Sequence, residues 1–236
     1  MKHLSRNDIE TIAERVVKAY KRLPELMGQP IYRVEPELLI EKVLHLNIDY
    51  QYLSNDGSIL GLTSFNEVGI EIYDYDDSES IYFLDGKTVL VDKRLKEDIT
   101  MKGRCNFTAA HEASHQIFKM LFPKEYGCNP ESQLHFYSAN SEMQKPIIDW
   151  EEWQANTLGS AILLPPDIVK NAMNLFGLGE KIPVLHSIYT PREYTRFCGM
   201  ADFLGVSKTA LAIRLKQLDM LGQNYLNKPQ LMLGGN

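Results

Sequence analysis

Phe107-Thr108-Ala109-Ala110-His111-Glu112-Ala113-Ser114-His115-Gln116-Ile117-Phe118-Lys119-Met120-Leu121 is the stretch on which the reading of this chain turns. Phe107, Ala110, Ser114, Ile117, Phe118 and Leu121 recur at helical spacing and form a mainly apolar face. A helix is therefore expected from His111 to Phe122, stopped by Pro123. Residues four apart on a helix lie one above the other. His111 and His115 then share a face, where two imidazoles can bind one tetrahedral ion such as zinc. Glu112 stands beside them, within reach of a water on that ion, which suits a general base.

A catalytic zinc takes three protein ligands and leaves its fourth position open. In the pattern H-E-x-x-H-x-x-G-x-x-H a glycine and a third histidine follow, but here Phe118 and Leu121 hold those places. The third ligand must come from downstream, where His135, Glu142, Asp149, Glu151 and Glu152 are candidates. A second helix, from about Asp149 to Leu164 and stopped by Pro165-Pro166, decides among them. Glu152, Asn156, Gly159 and Leu163 fall on one stripe of it, and Gly159 is small enough for close approach to the first helix. Glu152 then points at the metal, and Asn156, one turn on, can accept an imidazole N–H. Glu151 lies about 100° away.

Working outward, Ile9–Leu23 carries a helical period, and a second helix enters after Pro36 over Leu38–Leu46. Ile59–Leu62, Gly69–Tyr73 and Ile81–Leu84 are short and rich in β-branched or aromatic residues, as strands are. Asp85-Gly86 predicts a two-residue hairpin joining Ile81–Leu84 to Lys87–Val91. The acidic run Glu71, Asp74, Asp76, Asp77 and Glu79 lacks calcium-loop spacing and reads as a solvated turn. Residues Pro123–Pro146 are polar and irregular, and the chain beyond Pro166 looks helical again as far as Leu221. Helices flanking a small antiparallel sheet make the fold α+β.

Two blocks of this sequence resemble a known family. Arg104-Cys105-Asn106-Phe107-Thr108-Ala109-Ala110-His111-Glu112-Ala113-Ser114-His115 is similar to the R-x-x-F-T-x-A-H-E-x-x-H segment of the ImmA/IrrE-type metallopeptidases. Glu152-Trp153-Gln154-Ala155-Asn156, followed by Leu163-Leu164-Pro165-Pro166, resembles that family's E-x-x-A-N block and the L-L-x-P after it. Leu158-Gly159 departs from the family's usual Phe-Ala but keeps a large residue beside a small one. The resemblance implies a zincin-like peptidase domain over residues 1–166, with His111, His115 and Glu152 as zinc ligands and Glu112 as catalytic base. It also implies a protein substrate, a helix-turn-helix transcriptional repressor. His135, His186, Tyr189 and Tyr194 are candidate donors to the oxyanion of such a reaction. By analogy, Ile81–Leu84 or Val89–Asp92 would supply a sheet edge for an extended peptide.

Residues 167–236 are expected to form a C-terminal helical subdomain, helix-turn-helix-like around 192–218. Ala201 and Gly205 have the separation of that motif, Gly205-Val206 makes the turn, and Ser207 can cap the next helix. Arg192, Arg196, Lys208, Arg214 and Lys216 outnumber Glu193 and Asp202 there, so a DNA-binding regulator with a secondary or inactive zinc site is the rival expectation. Against it, Arg214 takes a position that the motif usually fills with an apolar residue. The net charge of −6 also disfavours nucleic acid as the main partner. Cys105, Cys128 and Cys198 form no CxxC pair, which argues against a cysteine zinc cluster. No apolar run is long enough to cross a membrane, and the polar N-terminus lacks a secretory signal, so a cytoplasmic location is expected.

Overall fold

The computed structural model describes residues 2–74, 78–125, 134–138 and 150–226. Helix α1 (Arg6–Tyr20) leads to a short helix α2 (Pro36–Leu38) that continues as a π-helical turn over Leu39–Val43. Strands β1 (Asn47–Gln51), β2 (Ile59–Ser64), β3 (Glu67–Tyr73), β4 (Glu79–Asp85) and β5 (Thr88–Asp92) follow. Then come α3 (Lys93–Glu97), α4 (Lys102–Leu121), β6 (Leu134–Ser138), α5 (Trp150–Leu163) and α6 (Pro166–Leu175). The chain continues through β7 (Ile182–Leu185), α7 (Pro191–Leu204), α8 (Lys208–Gln217) and β8 (Leu221–Asn224).

The fold is α+β, but its main sheet is mixed rather than antiparallel. Strand order is β1-β5-β2-β6, with β1 parallel to β5 and the other neighbours antiparallel. β1 has only Ile48 and Tyr50 as apolar residues, and neither is fully buried, so it carries no strong strand pattern. β5 is buried at every position and paired on both sides. Val89–Asp92 is therefore no sheet edge.

The hairpin expected at Asp85-Gly86 does not form. β4 pairs with β3, while β5 leaves for the main sheet. Asp85 Oδ1 accepts from the Lys87 backbone N–H and the Thr88 hydroxyl, each at 2.8 Å. Gly86, at φ +74°, completes a turn that moves the chain from one sheet to the other. A Cβ at Gly86 would lie 2.9 Å from the Phe65 carbonyl oxygen. The turn signal was real, but it separates its flanking strands.

Part of the segment read as irregular is also a strand, since β6 pairs with β2. Cys128, Glu142, Asp149, Asp76 and Asp77 lie outside the described residues. Beyond Pro166 the helices are joined by a parallel strand pair, β7 with β8, that short runs such as Ile182–Leu185 did not announce.

α4 is the centre of the molecule. Cys105, Ala109 and Ala113 face the sheet, in a cluster with Leu60, Val89 and Val91. Ala110, Ile117 and Phe118 face a larger cluster that runs from Leu4 and Ile9 through Leu158 and Ile162 to Phe197, Leu211 and Leu221. That cluster draws on both sides of Pro166. No helix of the described residues is long and apolar enough to cross a membrane.

Candidate metal centre

α4 starts at Lys102, ahead of the expected helix, so His111–His115 sits in mid-helix with both flanks packed. His111, Glu112 and His115 are fully buried. α5 crosses this stretch closely because Gly159 has no side chain: a Cβ there would stand 3.2 Å from the His111 backbone nitrogen. That approach brings the Glu152 side chain onto the two imidazoles.

His111 Nε2 and His115 Nε2 are 3.2 Å apart. Glu152 Oε2 is 3.3 Å from the first, and Oε1 is 3.4 Å from the second. Two ligands on a tetrahedral ion with bonds of about 2.0–2.1 Å are separated by about 3.3–3.4 Å. The two imidazole nitrogens thus stand apart by about the edge of a zinc tetrahedron, and a different Glu152 oxygen lies about that far from each. Two imidazoles and a carboxylate are also a donor set that zinc favours. His111, His115 and Glu152 fit the ion.

Asn156 lies where expected, with Oδ1 3.1 Å from His111 Nδ1. This contact fixes the tautomer that leaves Nε2 as the ligand atom. Burial would raise the Glu152 carboxyl, but hydrogen bonds and charge from His111 and His115 overcome it, holding the group far below the usual carboxylate range. Burial lowers His111, a shift that Glu152 opposes.

Glu112 lies against the sheet. Neither carboxylate oxygen has a well-formed hydrogen bond, and burial reinforced by the charge of Glu152 pushes this carboxyl well above its ordinary value. The Tyr137 backbone amide opposes that shift weakly. Gly61 makes room for Glu112, since a Cβ on it would meet Glu112 Oε1 at 2.9 Å and Thr108 Cγ2 at 2.4 Å.

β6 adds residues that were missed or left open. Tyr137, opposite Gly61, holds its ring 4.4 Å from that of His111. His135 stacks on His115 at 4.3 Å with 22° between the rings, and its Nε2 is 3.5 Å from Glu151 Oε1. His115, His135 and Glu151 form a second group of closely placed ligand atoms. Imidazole lone pairs lie in the ring plane, so two stacked rings cannot both aim at one ion. Glu152 has an oxygen near each of His111 and His115, whereas Glu151 Oε1 is placed against His135.

The other candidate donors serve local structure. His186 is buried, and its Nδ1 accepts from the backbone N–H groups of Ile188 and Tyr189. Tyr189 packs on the His186 ring, and Tyr194 packs against the large core cluster.

In the helix-turn-helix-like segment α7 and α8 are joined as expected. Gly205 is left-handed at φ +67°, and the Ser207 hydroxyl accepts from the Ala210 backbone N–H. The turn packs onto the first turns of α4: Asn106 Nδ2 donates to the Gly205 carbonyl at 2.8 Å, and a Cβ on Gly103 would overlap Val206 and Ser207. Arg214 is 1% exposed. Its guanidinium grips Glu10 on α1 and donates through Nε to the Leu164 carbonyl at 2.9 Å. Arg196 and Lys216 donate to the carbonyls of Gly177 and Gly222. Arg192 and Lys208 are exposed.

Compared with known proteins, the chain matches no family model and no curated protein.

Proposed function

We propose that this chain is a zinc-dependent endopeptidase of the ImmA/IrrE type that cuts a protein substrate, a helix-turn-helix transcriptional repressor. The observation that carries the reading is the convergence of His111, His115 and Glu152, whose ligand atoms lie within 4.8 Å of one another, with Glu112 buried beside them. Zinc held by His111, His115 and Glu152 would supply a Lewis acid and would make a water acidic enough to attack a carbonyl near neutral pH.

Glu112 takes the proton of the attacking water and returns it to the leaving amine. Burial first, then the charge of Glu152, hold the Glu112 carboxyl well above the ordinary value, which favours a group that carries a proton. Asn156 fixes the His111 ring, and Gly159 sets the spacing of α4 and α5. His135, beside His115 and braced by Glu151, is the best placed of the candidate oxyanion donors. Arg214 is buried and presents no charge to a DNA duplex, while Arg192, Arg196, Lys208 and Lys216 stay exposed, so the rival reading loses one of its five basic residues.

The test is co-expression with helix-turn-helix proteins encoded beside its gene. Wild type should cleave one of them, and Glu112→Gln should keep its zinc but lose about 10²-fold or more of the rate. A Glu112→Gln protein that cleaves like wild type would overturn the assignment.

A further inference from the structure

The β3–β4 hairpin has two unlike faces. Its inner face, including Ile72 and Leu84, packs with Leu53, Leu62 and Leu90. The register places Phe83 opposite Gly69, Ile81 opposite Glu71, and Asp85 opposite Glu67. Side chains alternate along a strand, so these residues share the outer face with Glu79. Phe83 is 78% exposed and Ile81 65%. Gly69 adds no bulk between them, and Glu67, Glu71, Glu79 and Asp85 are all exposed around them.

The exposed apolar pair adds little to the hairpin, and Asp85, which holds the turn into β5, also faces a like charge. Like charges directly opposite on paired strands are destabilising, as Glu67 and Asp85 are here. A phenylalanine in water contributes almost none of the stabilisation its burial would bring. Both become favourable against a surface with an apolar centre and a basic rim. We propose that this face docks a cationic, apolar-centred segment of another protein.

The charge selects that occupant. Nucleic acid and an anionic membrane carry the same sign as the rim. A second copy, packed about a two-fold axis, would bring these carboxylates against themselves. Docking here needs none of the metal ligands, so it stands or falls apart from the peptidase reading.

The experiment titrates the full chain into three labelled peptides, read by fluorescence anisotropy at low and moderate salt. One has an Ile-Leu-Phe centre flanked by lysines, the second the same centre flanked by glutamates, and the third lysines around a serine centre. The lysine-flanked apolar peptide should bind at least about 10-fold more tightly than the other two, and salt should weaken it. Phe83→Thr and Glu67→Lys should each weaken it about 10-fold.

Urea unfolding separates docking from a structural role. Threonine suits a strand, so Phe83→Thr should leave the midpoint in place. Glu67→Lys should hold or raise it, because it replaces a like-charged pair by an opposite one. Three results overturn the proposal: peptides that bind regardless of charge, variants that bind like wild type, or a Glu67→Lys chain that is clearly less stable. Concentration-dependent dimers abolished by Phe83→Thr would give the face to a second copy instead.

Discussion

At the scale of single residues, Gly61 and Glu112 depend on one another. The strand can lie against α4 only where it has no side chain, and the group under that gap is the proposed general base. Gly61→Ala should destabilise the fold by about 1–3 kcal/mol, as overpacking does, and should displace Glu112 while His111, His115 and Glu152 keep their zinc. Adding Thr108→Ala removes the tighter overlap, with Thr108 Cγ2, and should restore most of the stability without restoring cleavage. Urea midpoints, metal content and cleavage of any substrate the wild type cuts check this. Full activity in Gly61→Ala would show that Glu112 tolerates the shift. The placement of His111 and His115 side by side was legible in the sequence because a helix fixes where residues four apart must point. Gly61 and Tyr137 were not, because a strand's partner across a sheet leaves no mark at its own position.

Among elements, α8 shows how a local pattern misleads. Arg214 reads as a basic residue on a helix-turn-helix, and its position in the motif calls for an apolar side chain. Both are met by folding the stem inward and handing the guanidinium to Glu10 and the Leu164 carbonyl. Arg214→Ala should cost about 3 kcal/mol, toward the low end for a broken buried pair, because the Glu10 side chain keeps 31% of its exposure. Arg214→Met with Glu10→Gln should lose less, since it fills the volume and strands no charge. Equal losses in urea would mean that packing, not the ion pair, holds α8. The Asp85-Gly86 signal misled differently: the turn chemistry was read correctly, and what the next strand pairs with depended on β1, which local composition hides.

For the whole molecule, the proposed ion joins α4 to α5, and α4 touches both the sheet and the helical core. Removing it should therefore loosen the entire fold. An ion present at about a thousandfold over its dissociation constant stabilises by about 4 kcal/mol. For a chain of this length that corresponds to a fall in Tm of roughly 8–16 °C on chelation. Zinc should restore it, and His111→Ala should show no chelator effect. An unchanged Tm in wild-type protein shown to have lost its metal would mean that α4 and α5 are already locked without it.

The contact between Glu10 and Arg214 links residues 204 positions apart. A ribosome adds about 5–20 residues per second, so Glu10 waits roughly 10–40 s after its own synthesis for that partner to be made. During that interval the nascent chain already contains His111, His115 and Glu152, yet α8 is not there to close the core around them. A chain stalled before Arg214 would therefore pack α1 on α5 but lack the clasp from α8.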